Sequence, residues 1–145
     1  MIIVGLDWAR YKHDYLIMAP TGEILHRGRI PHNAAGLQEL AATIEHYAGA
    51  DHNVRVGIEM NDGALLAWLI DKGYAVFGIQ PKSAQRARDI YRPSGRKDDP
   101  VDTFGLAEMV RLSGGRRDRV AIHGATCRKL SRAFGRRVDR SFSRS

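Results

Sequence analysis

Four acidic residues carry the chemistry this sequence offers: Asp7, Glu59, Asp99 and Asp102. Asp7 closes the run Ile2-Ile3-Val4-Gly5-Leu6, which is apolar and β-branched enough to read as a central strand covered on both faces. Glu59 closes a second such run, in which Val54, Val56 and Ile58 alternate. A carboxylate on a core strand costs several kcal/mol to bury unless a metal or a hydrogen-bonding partner compensates it. If the two strands are parallel neighbours, both acids emerge at the carboxyl edge of the sheet, where sites form in open α/β folds. Two carboxylates held together repel unless a cation sits between them. A hard divalent ion, Mg²⁺ or Mn²⁺, takes oxygen ligands of this kind. Asp99 and Asp102 are three apart, so a helix puts them on one face. With Asp7 and Glu59 they would form a four-carboxylate cluster able to hold two metals about 4 Å apart, the arrangement that clamps both oxygens in phosphodiester cleavage. Each acid alone also fits a structural role. A strand-end Asp is an ordinary turn residue, and Asp99 before Pro100 is an ordinary N-cap. It is the joint placement that points to chemistry.

The elements that must position these acids follow from the pattern. Residues 2–7 form a first strand, Trp8 to His13 a polar turn, and Tyr15 to Met18 a second strand. Pro20-Thr21-Gly22 signals a tight turn into a third strand, Glu23 to Ile30. Asn33 is a fair N-cap for an amphipathic helix carrying Leu37, Leu40, Ile44 and Tyr47, which Gly49 stops. A fourth strand ends at Glu59. Asn61 or Asp62 caps a second helix that Gly73 ends, and Tyr74 to Ile79 is a fifth strand. Pro81 starts a short helix through about Asp89. Ile90 to Lys97 reads as a mobile basic loop, and a last helix runs from Asp99 to Gly114-Gly115. The expected fold is therefore α/β: a mixed sheet, with a three-strand antiparallel meander plus parallel strands, covered by helices.

Charge divides the chain. Its net charge is +7, yet residues 111–145 hold eleven Arg and Lys against Asp118 and Asp139, so the preceding residues carry a net −2. An arginine-rich tail attracts phosphate backbones without reading sequence, and it is equally the composition of a solvated end. The expected division is a domain over 1–113 and a basic, poorly ordered tail over 114–145. The one cysteine, Cys127, excludes an internal disulfide, and no apolar run has transmembrane length. The expectation is a cytoplasmic protein without membrane contact.

The residues that carry these features resemble a known family. VGLDWARYKHDYLIMAPTGEIL at the start, V-x-I-E before a helix, Gln80-Pro81-Lys82 after a strand, and K-x-D-x-x-D look like the N-terminal domain of the insertion-sequence one-ten DEDD transposases, which include the pilin-gene inversion recombinase. The resemblance covers about residues 2–113. It implies an RNase H-like fold related to the RuvC resolvase, and it implies that Asp7, Glu59, Asp99 and Asp102 are the catalytic, metal-holding tetrad. Asp98 is the alternate for Asp99, since the family often has a small or hydroxyl residue there; Gln80 stands where Asn is frequent. The implied activity is DNA transposition: cleavage and strand transfer by a metal-dependent recombinase. The implied partners are DNA, a structured guide RNA and further copies of the chain. Family members continue into a C-terminal domain with a nucleophilic serine. Ser141, Ser143 and Ser145 have no motif of that kind, so a truncated or isolated domain is expected.

Lys82, Arg86, Arg92, Arg96 and Lys97 are the candidate nucleic-acid contacts, the first two with Arg88 on a helix and the others in the loop before Asp99. A solvated face fits the helical ones as well. Trp8 and Tyr11 fit either stacking on a base or packing over the sheet edge. The six histidines show no metal-ligand spacing. Two other functions remain. A non-catalytic nucleic-acid-binding module would survive Asp7→Asn. An actin-like sugar kinase or ATPase would also open with Val-Gly-Leu-Asp, but it needs a glycine-rich turn for phosphate, and Trp8 to Lys12 holds no glycine.

Overall fold

The computed structural model describes residues 1–8, 11–59, 63–80, 82, 85, 86, 89 and 99–113, with 63, 64 and 99–102 described by their place in a helix. Strands β1 (Ile2–Trp8), β2 (Lys12–Met18) and β3 (Ile24–Pro31) form the antiparallel meander. Helix α1 (Ala34–Ala48) leads to β4 (Val54–Glu59), and α2 (Gly63–Asp71) leads to β5 (Ala75–Ile79). Helix α3 spans Asp99–Ser113. The sheet order is β3-β2-β1-β4-β5, with β1, β4 and β5 mutually parallel. The mixed α/β sheet expected from the pattern is present, and β1 lies at its centre.

Local chemistry accounts for the boundaries. The β2–β3 hairpin closes where Pro20-Thr21-Gly22 requires it: Gly22 has φ +93, and its N–H donates to the Ala19 carbonyl at 2.9 Å. Asn33 caps α1, its side-chain oxygen accepting from the Gly36 N–H at 2.7 Å. Gly49 ends that helix with φ +67 and donates to the Glu45 carbonyl.

Alternation along the strands sorts side chains between two cores. Ile2, Val4 and Leu6 of β1 and Val54, Val56 and Ile58 of β4 pack with α1 and α2. Ile3, Leu16, Met18, Phe77 and Ile79 pack on the other face with Leu106, Ala107 and Val110 of α3. The odd-numbered residues of β1 and β4, Asp7 and Glu59 among them, therefore belong to the α3 face.

The turn expected over Trp8 to His13 is shorter than the sequence suggests. Trp8 is the last residue of β1 and pairs across the ladder with His13 of β2, which is fully buried. The two rings stack with centroids 3.3 Å apart and 2° between planes, and His13 Nε2 lies 2.9 Å from His32 Nδ1. Stacking and this hydrogen bond let a polar residue extend the strand inward.

The segment expected as a short helix from Pro81 is described only at Lys82, Gln85, Arg86 and Asp89, which are helical. The loop at 90–97 and the tail from 114 lie outside the described residues. No described helix is long and apolar enough to cross a membrane.

Candidate metal and nucleic-acid site

Asp7 and Glu59 are brought together by the parallel ladder. Leu6 pairs with Ile58 across β1 and β4, and the two acids are the next residue along each strand. Neighbouring strands lie about 4.8 Å apart, so the carboxylates leave the same edge of the sheet side by side. Both residues are partly buried.

Helix α3 brings the other two acids toward that edge. Gly5 and Gly57 are direct partners in the ladder, two residues before Asp7 and Glu59. The α3 backbone crosses over both. A Cβ built on Gly5 would overlap the Thr103 carbonyl oxygen, and one built on Gly57 would lie 2.7 Å from the Leu106 carbonyl oxygen and 2.7 Å from Val110 Cγ2. At the far end of the helix, the Arg111 guanidinium sits against Gly22 in the β2–β3 turn, beside the start of β1. Helix α3 thus runs antiparallel to β1. Its first turn, which holds Asp99 and Asp102, lies toward the edge where Asp7 and Glu59 emerge. Buried Thr103, Leu106, Ala107 and Val110 form the face that α3 turns to the sheet.

A further acid and its cation share this row. Asp7 pairs across the ladder with Asp14 of β2, and Asp14 with Arg29 of β3. Arg29 Nε donates to Asp14 Oδ1 at 2.6 Å. The α3 face of the sheet therefore reads, from its β3 edge inward, Arg29, Asp14, Asp7, Glu59.

On the opposite face, burial pushes the His13 imidazole down to about 3; the nearby His32 adds to that, and Asp14 partly opposes it. His13 is thus held neutral beside the site. Trp8 is occupied by this stack, which answers its candidacy as a base-stacking residue with packing, whereas Tyr11 is exposed. Lys82 and Arg86 are exposed, and they follow β5 past the same edge of the sheet. Arg92, Arg96 and Lys97 lie outside the described residues. Among the described residues no three His, Cys, Asp or Glu side chains form a metal-binding group.

Sequence reasoning missed the glycine pair, the Asp14–Arg29 pair and the Trp8–His13–His32 cluster. The first had a signal. Val4-Gly5-Leu6-Asp7 and Val56-Gly57-Ile58-Glu59 are the same pattern of Val, Gly, apolar residue and acid.

The model of a family described as Transposase, the DEDD transposases of IS110 type, matches residues 4–145. The chain belongs to this family. Among curated relatives it is 36% identical over 111 residues to the "Mini-circle putative transposase for IS117" of Streptomyces coelicolor, covering 76% of this chain and 27% of that protein. It is 32% identical over 109 residues to "Putative transposase y4uE" of Sinorhizobium fredii, covering 74% and 30%. The chain thus spans under a third of the length of these relatives. Among solved structures, Thermus thermophilus RuvC in complex with a Holliday junction substrate matches with a TM-score of 0.55 at 13% identity, over 83% of this chain and 99% of that one. RuvC alone matches equally well. This DEDD transposase domain thus has the RNase H-like fold.

Proposed function

We propose that this chain supplies the carboxylate wall of a divalent-metal site for phosphodiester cleavage and strand transfer in DNA transposition. The observation that carries the reading is the ladder: Asp7, one residue before the end of β1, and Glu59, at the end of β4, stand next to each other on adjacent parallel strands, on the face crossed by α3, whose first turn holds Asp99 and Asp102. Oxygen donors on a rigid sheet edge fit a hard ion such as Mg²⁺ or Mn²⁺. Such an ion supplies an activated nucleophile and stabilises charge developing on the phosphate. Asp7 and Glu59 would hold it from the strands, Asp99 and Asp102 from the helix. Lys82 and Arg86, with Arg92, Arg96 and Lys97, would contact phosphates. Family membership supports DNA as the substrate, and the family resemblance adds a structured RNA and further copies of the chain as partners.

A metal titration tests the proposal. Thermal unfolding is followed against Mg²⁺ or Mn²⁺ for the native chain and for Asp7→Asn combined with Glu59→Gln. Binding to the folded state raises the melting temperature with ligand concentration. The native protein is expected to gain stability with metal while the variant stays level. An equal response in both, or none in either, overturns the metal site. A chain that only binds nucleic acid would keep its DNA affinity in the variant and show no response to metal.

A further inference from the structure

We infer that Lys12, Arg29 and Arg27 form a track for the sugar-phosphate backbone of DNA along the outer strands β2 and β3, beside the Asp7–Glu59 edge. The inference rests on the proposed DNA-processing function and names the surface by which DNA reaches it.

The placement follows from the ladder. In the β2–β3 pairing, Lys12 lies opposite Pro31, Asp14 opposite Arg29, and Leu16 opposite Arg27. Leu16 belongs to the α3-side core, so these three rows share its face of the sheet. Each row therefore offers one cation, and successive rows are two residues apart, about 6.6 Å along the strand. That is close to the step between successive phosphates along a DNA strand. The middle row, with Arg29, also holds Asp14, Asp7 and Glu59.

The three cations are positioned to be used. Lys12, Arg27 and Arg29 are exposed. Neither Lys12 nor Arg27 is ion-paired among the described residues, and Arg29 keeps half of its side chain in solvent while paired with Asp14. Helix α3 packs chiefly on β1, β2 and β4, which leaves this part of the face beside it. The residues before 111 carry a net −2, so a file of three cations is a local contrast and not a sample of a generally basic surface. A polyanion is the complementary occupant, and arginine and lysine are the residues that contact phosphate oxygens.

The test uses the full 145-residue chain and a fluorescein-labelled DNA duplex, with anisotropy titrations at several salt concentrations in EDTA. Each phosphate neutralised adds about 0.9 to the slope of log K against log salt. Lys12→Gln with Arg27→Gln is expected to bind DNA at least several-fold more weakly at low salt, with a slope shallower by about 1 to 2. Arg29 is left unchanged because it also neutralises Asp14. The melting temperature should stay at the native value, since both altered side chains are exposed. An unchanged affinity, or a loss of affinity without a change in slope, overturns the track. Because EDTA removes metal, this result is independent of the metal titration: either can fail while the other holds.

Discussion

Gly5 and Gly57 lie side by side in the parallel ladder, and the backbone of α3 passes directly over both. This contact sets how close the helix comes to the sheet, and with it how near Asp99 and Asp102 come to Asp7 and Glu59.

Gly5→Ala should therefore be severely destabilising. The new methyl group meets a backbone carbonyl, which cannot rotate away, so α3 must lift. Overpacking of this kind costs about 1–3 kcal/mol. Gly57→Ala meets a backbone oxygen at 2.7 Å and should cost less than Gly5→Ala. Gly73→Ala is the control. It has φ +89 and nothing within 4 Å of the added carbon, so its cost is only the left-handed backbone, roughly 1 kcal/mol. Urea midpoints rank the three, and Gly73→Ala costing as much as Gly5→Ala contradicts the close approach.

Much of this arrangement was legible in the sequence, for definite reasons. β1 is legible because a strand covered on both faces has to be apolar nearly throughout, and β4 because Val54, Val56 and Ile58 alternate, which makes Asp7 and Glu59 after those runs conspicuous. Asn33, Gly49 and Pro20-Thr21-Gly22 were legible because caps and turns are local chemistry. The glycine pair was not read, because a glycine within a strand looks like a weakness until the element crossing above it is known. Lys12 and His13 read as part of a turn because both are polar. The alternation works only if His13 counts as buried, and what makes that possible is His32, nineteen residues away. Asp14 and Arg29 were missed in the same way, since their pairing is a property of register and not of spacing.

His13 makes stability depend on pH. Unfolded, its imidazole binds a proton below about 6.5; folded, it stays neutral down to about 3. Between those values the unfolded chain holds more protons, so stability falls as the solution is acidified through this window. Trp8 and His32 pack against the ring, and Asp14, on the other face of the sheet, acts on it through its charge. His13→Phe keeps the stack on Trp8 but removes the titration and the hydrogen bond to His32. At neutral pH it should cost about 1 kcal/mol. From pH 6.5 downward its stability should fall less steeply than that of the native chain. Parallel pH profiles of the urea midpoint would contradict this account.

Tyr74 ties the end of α2 to α1, its hydroxyl donating to Glu45 Oε1 at 3.2 Å. Burial, with Glu45 beside it, pushes the phenol up from its usual value, so it remains a donor at any ordinary pH. Tyr74→Phe should lower stability by about 0.5–1.5 kcal/mol without a change in the pH profile between 5 and 9. A pH-dependent difference between the two proteins in that range would show that the hydroxyl ionises.

Arg29→Gln separates the charge balance of the carboxylate row from its packing. Arg29 neutralises Asp14, and Asp14 faces Asp7 directly across the ladder. Like charges opposite one another in an antiparallel pair are destabilising. Since the Arg29 side chain is half exposed, the loss without metal should be modest, roughly 0.5–1 kcal/mol. With metal the sign reverses. An uncompensated Asp14 adds negative potential beside Asp7, which attracts a divalent cation more strongly, so the rise in melting temperature on adding Mg²⁺ should exceed that of the native chain. Added monovalent salt should shrink the excess, because exposed charges are screened. The same Mg²⁺ gain in both proteins would mean that Asp14 does not feel the cation, and that the row of acids is not one electrostatic unit.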